Sequence, residues 1–159
     1  MDNPLPGRRD FLTGAAAAAA ALGSDRVFAQ TTAAPAPAPP PTGPRLTMHA
    51  IDTFSGRPGA GMVTDLSIWK GDAYEKIKTV VSTPNGRPAE PLLSGDALVP
   101  GRYEMLLHFD DYFAKLGVKL PDMPFLTKAI VRFVIVDAKQ AYHVPVLFSP
   151  WAYSFYRGS

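Results

Sequence analysis

Short apolar stretches alternate with turn residues from Leu46 to the end of the chain, at intervals of about 8 to 12 residues. In residues 62–68 and 103–109, apolar and polar side chains alternate with a period of two, which is typical of half-buried strands. Residues 129–136 and 142–148 are rich in β-branched residues. Helical periodicity is nearly absent, and residues 111–116 predict a single helical turn that ends at Gly117.

These stretches predict an all-β domain over residues 45–159. The remaining predicted strands cover residues 46–52, 76–82 and 151–156. With about seven or eight strands, one short helix and no alternation of strands with helices, two stacked antiparallel sheets are the expected architecture. The sequence therefore predicts a two-sheet β-sandwich.

Composition narrows the classes of partner and of metal site. The chain has 159 residues, which suits one domain with appendages, and its formal net charge is only +2. No cluster of Lys and Arg resembles a phosphate-binding surface, so no nucleic-acid partner is expected. There is no cysteine. Disulfides and thiolate metal sites are thereby excluded.

The first 44 residues have the composition of an export signal and a linker. Arg8 and Arg9 precede Phe11, Leu12 and a short alanine-rich run, which is the order of a twin-arginine signal. That run is shorter than the roughly 20 residues of a membrane-spanning helix. We expect a signal peptide over residues 1–29, a periplasmic location and no membrane contact after cleavage. Residues 30–44, rich in Pro and Ala, are expected to be a disordered linker.

One predicted strand contains a proline. Pro145 lies inside residues 142–148, and proline cannot donate a hydrogen bond to a neighbouring strand. This strand is therefore expected at a sheet edge or next to a bulge. An apolar edge invites pairing with another chain, so the sequence suggests a subunit interface beside His143.

The three histidines, at positions 49, 108 and 143, are the most informative candidates for chemistry. Strand alternation places His49 and His143 opposite the apolar residues of their strands, so both rings can meet on an outer sheet face. Alternatively, each forms only local hydrogen bonds or titrates in solvent. His108 is expected to be an ordinary surface residue of its strand.

Two further functions use other side chains. A zinc hydrolase with three histidine ligands would require His108 to join His49 and His143. A carbohydrate-binding sandwich would use Trp69 and Trp151 as exposed platforms, although packing against a sheet explains both residues more simply.

Both ends of the predicted domain resemble the transthyretin-like family. Residues 46–53 (LTMHAIDT) look like its opening signature, and residues 142–147 (YHVPVL) with 153–159 (YSFYRGS) look like its closing signature. The final four residues are similar to the hydrolase branch of the family and differ from its hormone carriers. Arg87 matches the mid-chain arginine of the family. The resemblance covers residues 46–159.

The resemblance implies a homotetramer, a dimer of dimers of transthyretin-like β-sandwiches, with active sites between the dimers. It also implies hydrolysis of 5-hydroxyisourate to 2-oxo-4-hydroxy-4-carboxy-5-ureidoimidazoline in urate degradation, without a metal or organic cofactor. A non-catalytic small-molecule binding protein of the same fold is the alternative. The implied catalytic residues are His49, Arg87, His143 and Tyr156, and the implied substrate-binding residues are Arg157, Gly158 and Ser159.

These residue types suit the opening of a ring amide. Imidazole, with a reference pKa of about 6.5, accepts a proton from water near neutral pH, and either histidine can be the base. The planar guanidinium of Arg87 suits a flat substrate on which negative charge develops. Tyr156 can donate a hydrogen bond, and the terminal carboxylate of Ser159 can orient a histidine or the water. Arg157 either binds substrate or ties down the tail.

Two residues depart from those that family members often carry. Phe155 and Ala152 are bulkier than the usual threonine and glycine. Both are therefore expected to narrow the channel or to change its affinity.

Overall fold

The computed structural model describes residues 43–158. The predicted export signal, most of the predicted linker and Ser159 lie outside the described residues. A 3-10 turn at Gly95–Ala97 precedes the sixth strand. The described strands and helix are β1 (Arg45–Asp52), β2 (Arg57–Pro58), β3 (Val63–Trp69), β4 (Tyr74–Val81), β5 (Leu93–Ser94), β6 (Gly101–His108), α1 (Phe109–Lys115), β7 (Lys128–Ile135), β8 (Ala141–Phe148) and β9 (Tyr153–Phe155).

The strands form two sheets, which confirms the predicted all-β sandwich. Sheet A has the order β2-β1-β8-β9, with β5 also paired to β1, and sheet B has the order β4-β3-β6-β7. Every pair is antiparallel except β1 with β8, which run parallel in continuous register. This pair departs from the expected antiparallel arrangement. Because β1 and β8 come from opposite ends of the domain, no short hairpin fixes their relative direction.

The core lies between the sheets and takes alternate residues from the long strands, as the period of two predicts. Three apolar residues of β1 and three of β6 are at most 1% exposed. Burial of each large apolar side chain contributes about 1.5–3 kcal/mol relative to exposure. These six residues are Leu46, Met48, Ala50, Tyr103, Met105 and Leu107.

The predicted helical turn is present as α1 and begins slightly earlier than expected. Phe109, its first residue, is fully buried with its ring 4.8 Å from that of Phe148 in sheet A. Gly117 ends the turn with a φ of +67°, and its N–H donates to the carbonyl of Ala114 at 3.0 Å. Among residues 43–158, no helix is long and apolar enough to cross a membrane.

The expected edge or bulge at Pro145 is not found, because β8 lies inside sheet A between β1 and β9. The main-chain polar groups of Pro145 face the C-terminal tail, residues 156–158, where the carbonyl of Pro145 accepts from the N–H of Tyr156 at 3.4 Å. Because Pro145 has no N–H, only the tail, at the edge of sheet A, lacks a donor from this residue. Since Tyr156 is 56% exposed, water can hydrate that segment, and the proline is tolerated one position in from the edge.

Candidate active site

His49 and His143 lie on the same outer face of sheet A, as their strand alternation predicts. In the parallel pair of β1 and β8, Thr47 stands opposite His143, and His49 stands opposite Pro145. Both histidines are partly buried. The sheet therefore presents two imidazoles to one surface, next to a threonine hydroxyl.

A tight loop after β4 brings Arg87 to this surface. The N–H of Thr83 donates to the carbonyl of Arg87 at 2.7 Å, and the side chain of Asn85 accepts from the N–H of Arg87 at 2.9 Å. Gly86 has a φ of +77°, as its Asn-Gly pair predicts. Its carbonyl accepts from the N–H of Ala50 in β1 at 2.8 Å. This bond fixes the loop beside His49.

A glycine stands against each histidine. A Cβ at Gly86 would collide with the carbonyl of Ala50 and lie 3.0 Å from Cδ2 of His49. A Cβ at Gly158 would lie 3.0 Å from Cδ2 of His143. Only glycine lets the loop and the tail approach the two rings this closely.

The hydrogen bonds around His143 determine its tautomer. Thr47 Oγ1 lies 2.9 Å from His143 Nδ1 and donates its proton to the carbonyl of Tyr142 at 3.2 Å, so it accepts from Nδ1–H. Nη1 of Arg87 lies 3.3 Å from Nε2 of His143. Because arginine only donates, Nε2 carries the lone pair. We therefore assign His143 as a neutral imidazole with its proton on Nδ1.

Both histidines favour the neutral form. Burial lowers the pKa of His143, and the positive charge of Arg87, with that of His49 when it is protonated, lowers it further. Burial and the charge of Arg87 also lower the pKa of His49, and the backbone of Asn85 opposes this shift. Nε2 of His49 is buried without a hydrogen-bond partner in residues 43–158. The site thus contains two proton acceptors beside a fixed cation.

A cleft of about 440 Å³ opens beside these groups. It contains a second guanidinium, that of Arg45, which the sequence did not single out. The alternation of β1 already places Arg45 and Thr47 on the face of His49, so the signal was present. The lining residues are Arg45, Thr47, Met48, Arg87, Pro88, Ala89, Glu90, Pro91, Ala141, Tyr142 and His143.

The tail brings two of its predicted residues to the histidine face and one to the opposite face. Gly158 pairs with His143, and its N–H donates to the carbonyl of that residue at 2.7 Å. In the same register, Tyr156 stands opposite Pro145, on the histidine face. Arg157 points to the other face, where it donates to Gln140 at 2.9 Å and lies 4.9 Å from the ring centre of Tyr142. These contacts support a role of Arg157 in tying down the tail.

The expected narrowing by Phe155 and Ala152 is not found on the histidine face. Phe155 pairs with Val146, whose side chain points into the core, so both lie on the face opposite His143. Ala152 lies in the turn before β9, where its carbonyl accepts from the N–H of Ser149 at 2.8 Å.

His108 does not join the other two histidines. It ends β6 in sheet B, where Nε2 lies 3.0 Å from Asp65 and Nδ1 lies 3.3 Å from Asp111. Its side chain is only 17% exposed, so it is more enclosed than the surface residue expected. One protomer therefore does not form the three-histidine site that a zinc hydrolase would require. Residues 43–158 contain no cluster of three His, Cys, Asp or Glu suited to a metal ion.

The tryptophans differ in their surroundings. Trp69 packs against Tyr74 with ring centres 5.1 Å apart, which agrees with sheet packing, whereas Trp151 is 52% exposed.

Known proteins are similar to this chain in sequence and in structure. The sequence profile of the HIUase/Transthyretin family matches residues 46–158, nearly all of the described domain. The chain belongs to this family. It is 49% identical over 115 residues to "5-hydroxyisourate hydrolase 2" of Rhizobium meliloti (strain 1021), an alignment that covers 72% of this chain and 96% of the relative.

Two solved structures are also similar to this chain. The 5-hydroxyisourate hydrolase of Klebsiella pneumoniae has a TM-score of 0.59 at 31% identity, over 73% of this chain and 94% of that protein. An (S)-allantoin synthase has a TM-score of 0.69 at 34% identity, over 74% of this chain. The chain spans only 44% of the length of that synthase.

Proposed function

We propose that this protein hydrolyses 5-hydroxyisourate to 2-oxo-4-hydroxy-4-carboxy-5-ureidoimidazoline in urate degradation. The observation that carries the proposal is the contact of Arg87 with Nε2 of His143, 3.3 Å apart, at a cleft of about 440 Å³ that both residues line. The names of the relatives support the substrate, and the two neutral imidazoles support the type of reaction.

The proposed step consumes one water. The water oxygen forms a bond to the ring carbonyl carbon as a histidine accepts a proton, and the C–N bond then breaks as the leaving nitrogen takes up that proton. The new carboxylic acid loses a proton, so the product is a carboxylate. Arg87 stabilises the negative charge that develops on the carbonyl oxygen.

His143 is the better placed of the two histidines to be the base. It lines the cleft, and Thr47 holds its Nδ1–H, so the lone pair of Nε2 is directed toward Arg87. Arg87 would leave Nε2 for the substrate oxygen as the substrate binds. His49 would keep a neutral ring behind Arg87, and Tyr156, on the same face, would donate a hydrogen bond to the substrate.

A spectrophotometric assay with freshly generated 5-hydroxyisourate tests this proposal. We expect rapid loss of substrate with the purified protein, and reductions in kcat of about 100-fold or more in His143→Ala and Arg87→Ala. His49→Ala should also reduce kcat, whereas Arg102→Ala in sheet B should not. Saturable binding without turnover would favour the non-catalytic alternative. Full activity in all three site variants would refute the assigned residues.

We also propose that the chain forms a homotetramer. Tyr153 and Phe155 on the edge strand β9 are 38% and 42% exposed, which leaves an apolar edge for a second copy. Sedimentation should give the mass of four chains for the native protein and a smaller species for Phe155→Asp. Val81→Asp, at an exposed end of β4 in sheet B, is the matched control. A native monomer would refute this assembly.

We propose further that the protein is exported to the periplasm by the twin-arginine pathway. The order of Arg8, Arg9 and the following apolar run supports this route. The variant Arg8→Lys/Arg9→Lys should accumulate as uncleaved precursor, as should the native chain in cells that lack the pathway. Normal processing in both cases would exclude this route.

A further inference from the structure

Arg45 places a second cation in the cleft that contains Arg87 and His143. It is the first residue of β1, two positions before Thr47, and it therefore lies on the same face of sheet A. Its Nη1 donates to the carbonyl of Gly43 at 3.1 Å, which occupies one of its five donors. Among residues 43–158 it forms no ion pair.

The charges of the cleft favour an anion. Its lining contains the guanidinium groups of Arg45 and Arg87 and a single carboxylate, that of Glu90. Neither arginine forms an ion pair with a carboxylate of residues 43–158, so both retain donors for a ligand. A guanidinium presents a planar pair of N–H groups that matches a carboxylate.

We propose that Arg45 binds the carboxylate that ring opening creates and so sets the affinity of the cleft for small ring compounds that carry a carboxylate. This inference rests on the proposed hydrolysis for the identity of the product, and on the cleft alone for the anion site. The attacked carbonyl carbon becomes the carboxylate carbon, so Arg87, beside His143, keeps the original carbonyl oxygen and Arg45 serves the oxygen that comes from water. That oxygen bears negative charge only after it has lost its protons, so the contact with Arg45 is made in the product.

The test compares two flat ring compounds that differ by one carboxylate. Orotate and uracil are titrated against the full chain by calorimetry or NMR, with native protein, Arg45→Gln, Arg45→Lys and Arg102→Gln. We expect native protein and Arg102→Gln to prefer orotate by about 3- to 10-fold, as a partly exposed charge pair allows. Arg45→Gln should lose this preference, and Arg45→Lys should retain part of it.

Kinetics with 5-hydroxyisourate supply the second measurement. In Arg45→Gln, the inhibition constant of the accumulated product should rise by about 3- to 10-fold. An orotate preference that persists in Arg45→Gln, or that is absent from the native protein, would overturn the inference even if hydrolysis is fast. A preference that depends on Arg45 in a protein without hydrolase activity would keep the anion site and refute the proposed reaction.

Discussion

Thr47 is the residue that decides which nitrogen of His143 can accept a proton. Its hydroxyl has one proton, which it donates in a hydrogen bond to the carbonyl of Tyr142. The hydroxyl oxygen of Thr47 therefore accepts from Nδ1–H of the His143 ring. A reversed tautomer would place a proton on Nε2, where the donors of Arg87 already point. Arg87 thus donates to His143, His143 donates to Thr47, and Thr47 donates to Tyr142. This chain of hydrogen bonds fits only the neutral His143 ring with its proton on Nδ1.

Replacement Thr47→Val should reduce kcat by about 10-fold, because loss of one orienting hydrogen bond costs about 1–1.5 kcal/mol. Valine keeps the size and branching of threonine, so the packing of β1 should survive. The variant Thr47→Ser restores the hydroxyl and should recover most of the rate. Equal rates in Thr47→Val and the native protein would show that the threonine does not orient the ring.

The charge of Arg87 should be visible in the titration of both histidines. A nearby positive charge disfavours imidazolium, so the pKa values of His49 and His143 lie below 6.5, partly because of Arg87. In Arg87→Gln, NMR titration of the ring Cε1–H signals should show both pKa values rising toward 6.5. Arg102→Gln should leave them unchanged. Unchanged values in Arg87→Gln would mean that burial alone accounts for the shifts.

The loop between β4 and β5 brings Arg87 to the two histidines on the outer face of sheet A. Gly86 joins it to β1, because its carbonyl accepts from the N–H of Ala50, and a Cβ at this position would lie 3.0 Å from Cδ2 of His49. Arg87 follows immediately, so its direction depends on this contact.

Substitution Gly86→Ala should therefore affect stability and activity together. The alanine would meet the Ala50 carbonyl and adopt a φ of +77°, which should destabilise the fold by about 1–3 kcal/mol. Gly61→Ala is the matched control, since Gly61 has a φ of +82° and open space around it. Measurements of urea unfolding and of kcat should distinguish the two variants. Gly61→Ala should lose about 1 kcal/mol of unfolding free energy and keep its activity. Comparable kinetics in both variants would refute the role of Gly86.

Alternation predicts which face of a strand is buried, and it does not predict which strand lies next to it. The outward positions of His49 and His143 followed from the apolar residues of their own strands. The parallel pairing of β1 with β8 joins segments far apart in the sequence, and no local pattern encodes it. The site of Pro145 was misjudged for this reason. By contrast, the opposite faces of Phe155 and Tyr156 follow from their adjacency alone and were predictable.

The candidate active site lies on sheet A, and sheet B belongs to the framework that supports it. The outer face of sheet A carries both candidate histidines, and the cleft opens beside it. Sheet B carries His108, which bridges Asp65 of β3 and Asp111 of α1 in a separate cluster. The two groups of side chains are therefore distinct, one on the outer face of sheet A and one at the end of β6.

The candidate site should make the stability of the protein depend on pH. The pKa values of His49 and His143 are lower in the folded chain than the ordinary 6.5, so between these values the unfolded chain binds more protons. The free energy of unfolding should therefore be highest above pH 6.5 and fall as the pH drops toward the folded pKa values. Urea unfolding from pH 7.5 to 5.5, at constant protein concentration, measures this slope.

Arg87→Gln should flatten that slope, because it raises the folded pKa values toward those of the unfolded chain. The variant also loses the contact with His143, so its unfolding free energy at pH 7.5 should decrease. These two effects are separable, since one changes the height of the curve and the other its dependence on pH. Arg102→Gln should follow the native curve in parallel. A slope identical in Arg87→Gln and the native protein would show that other groups control stability in this range.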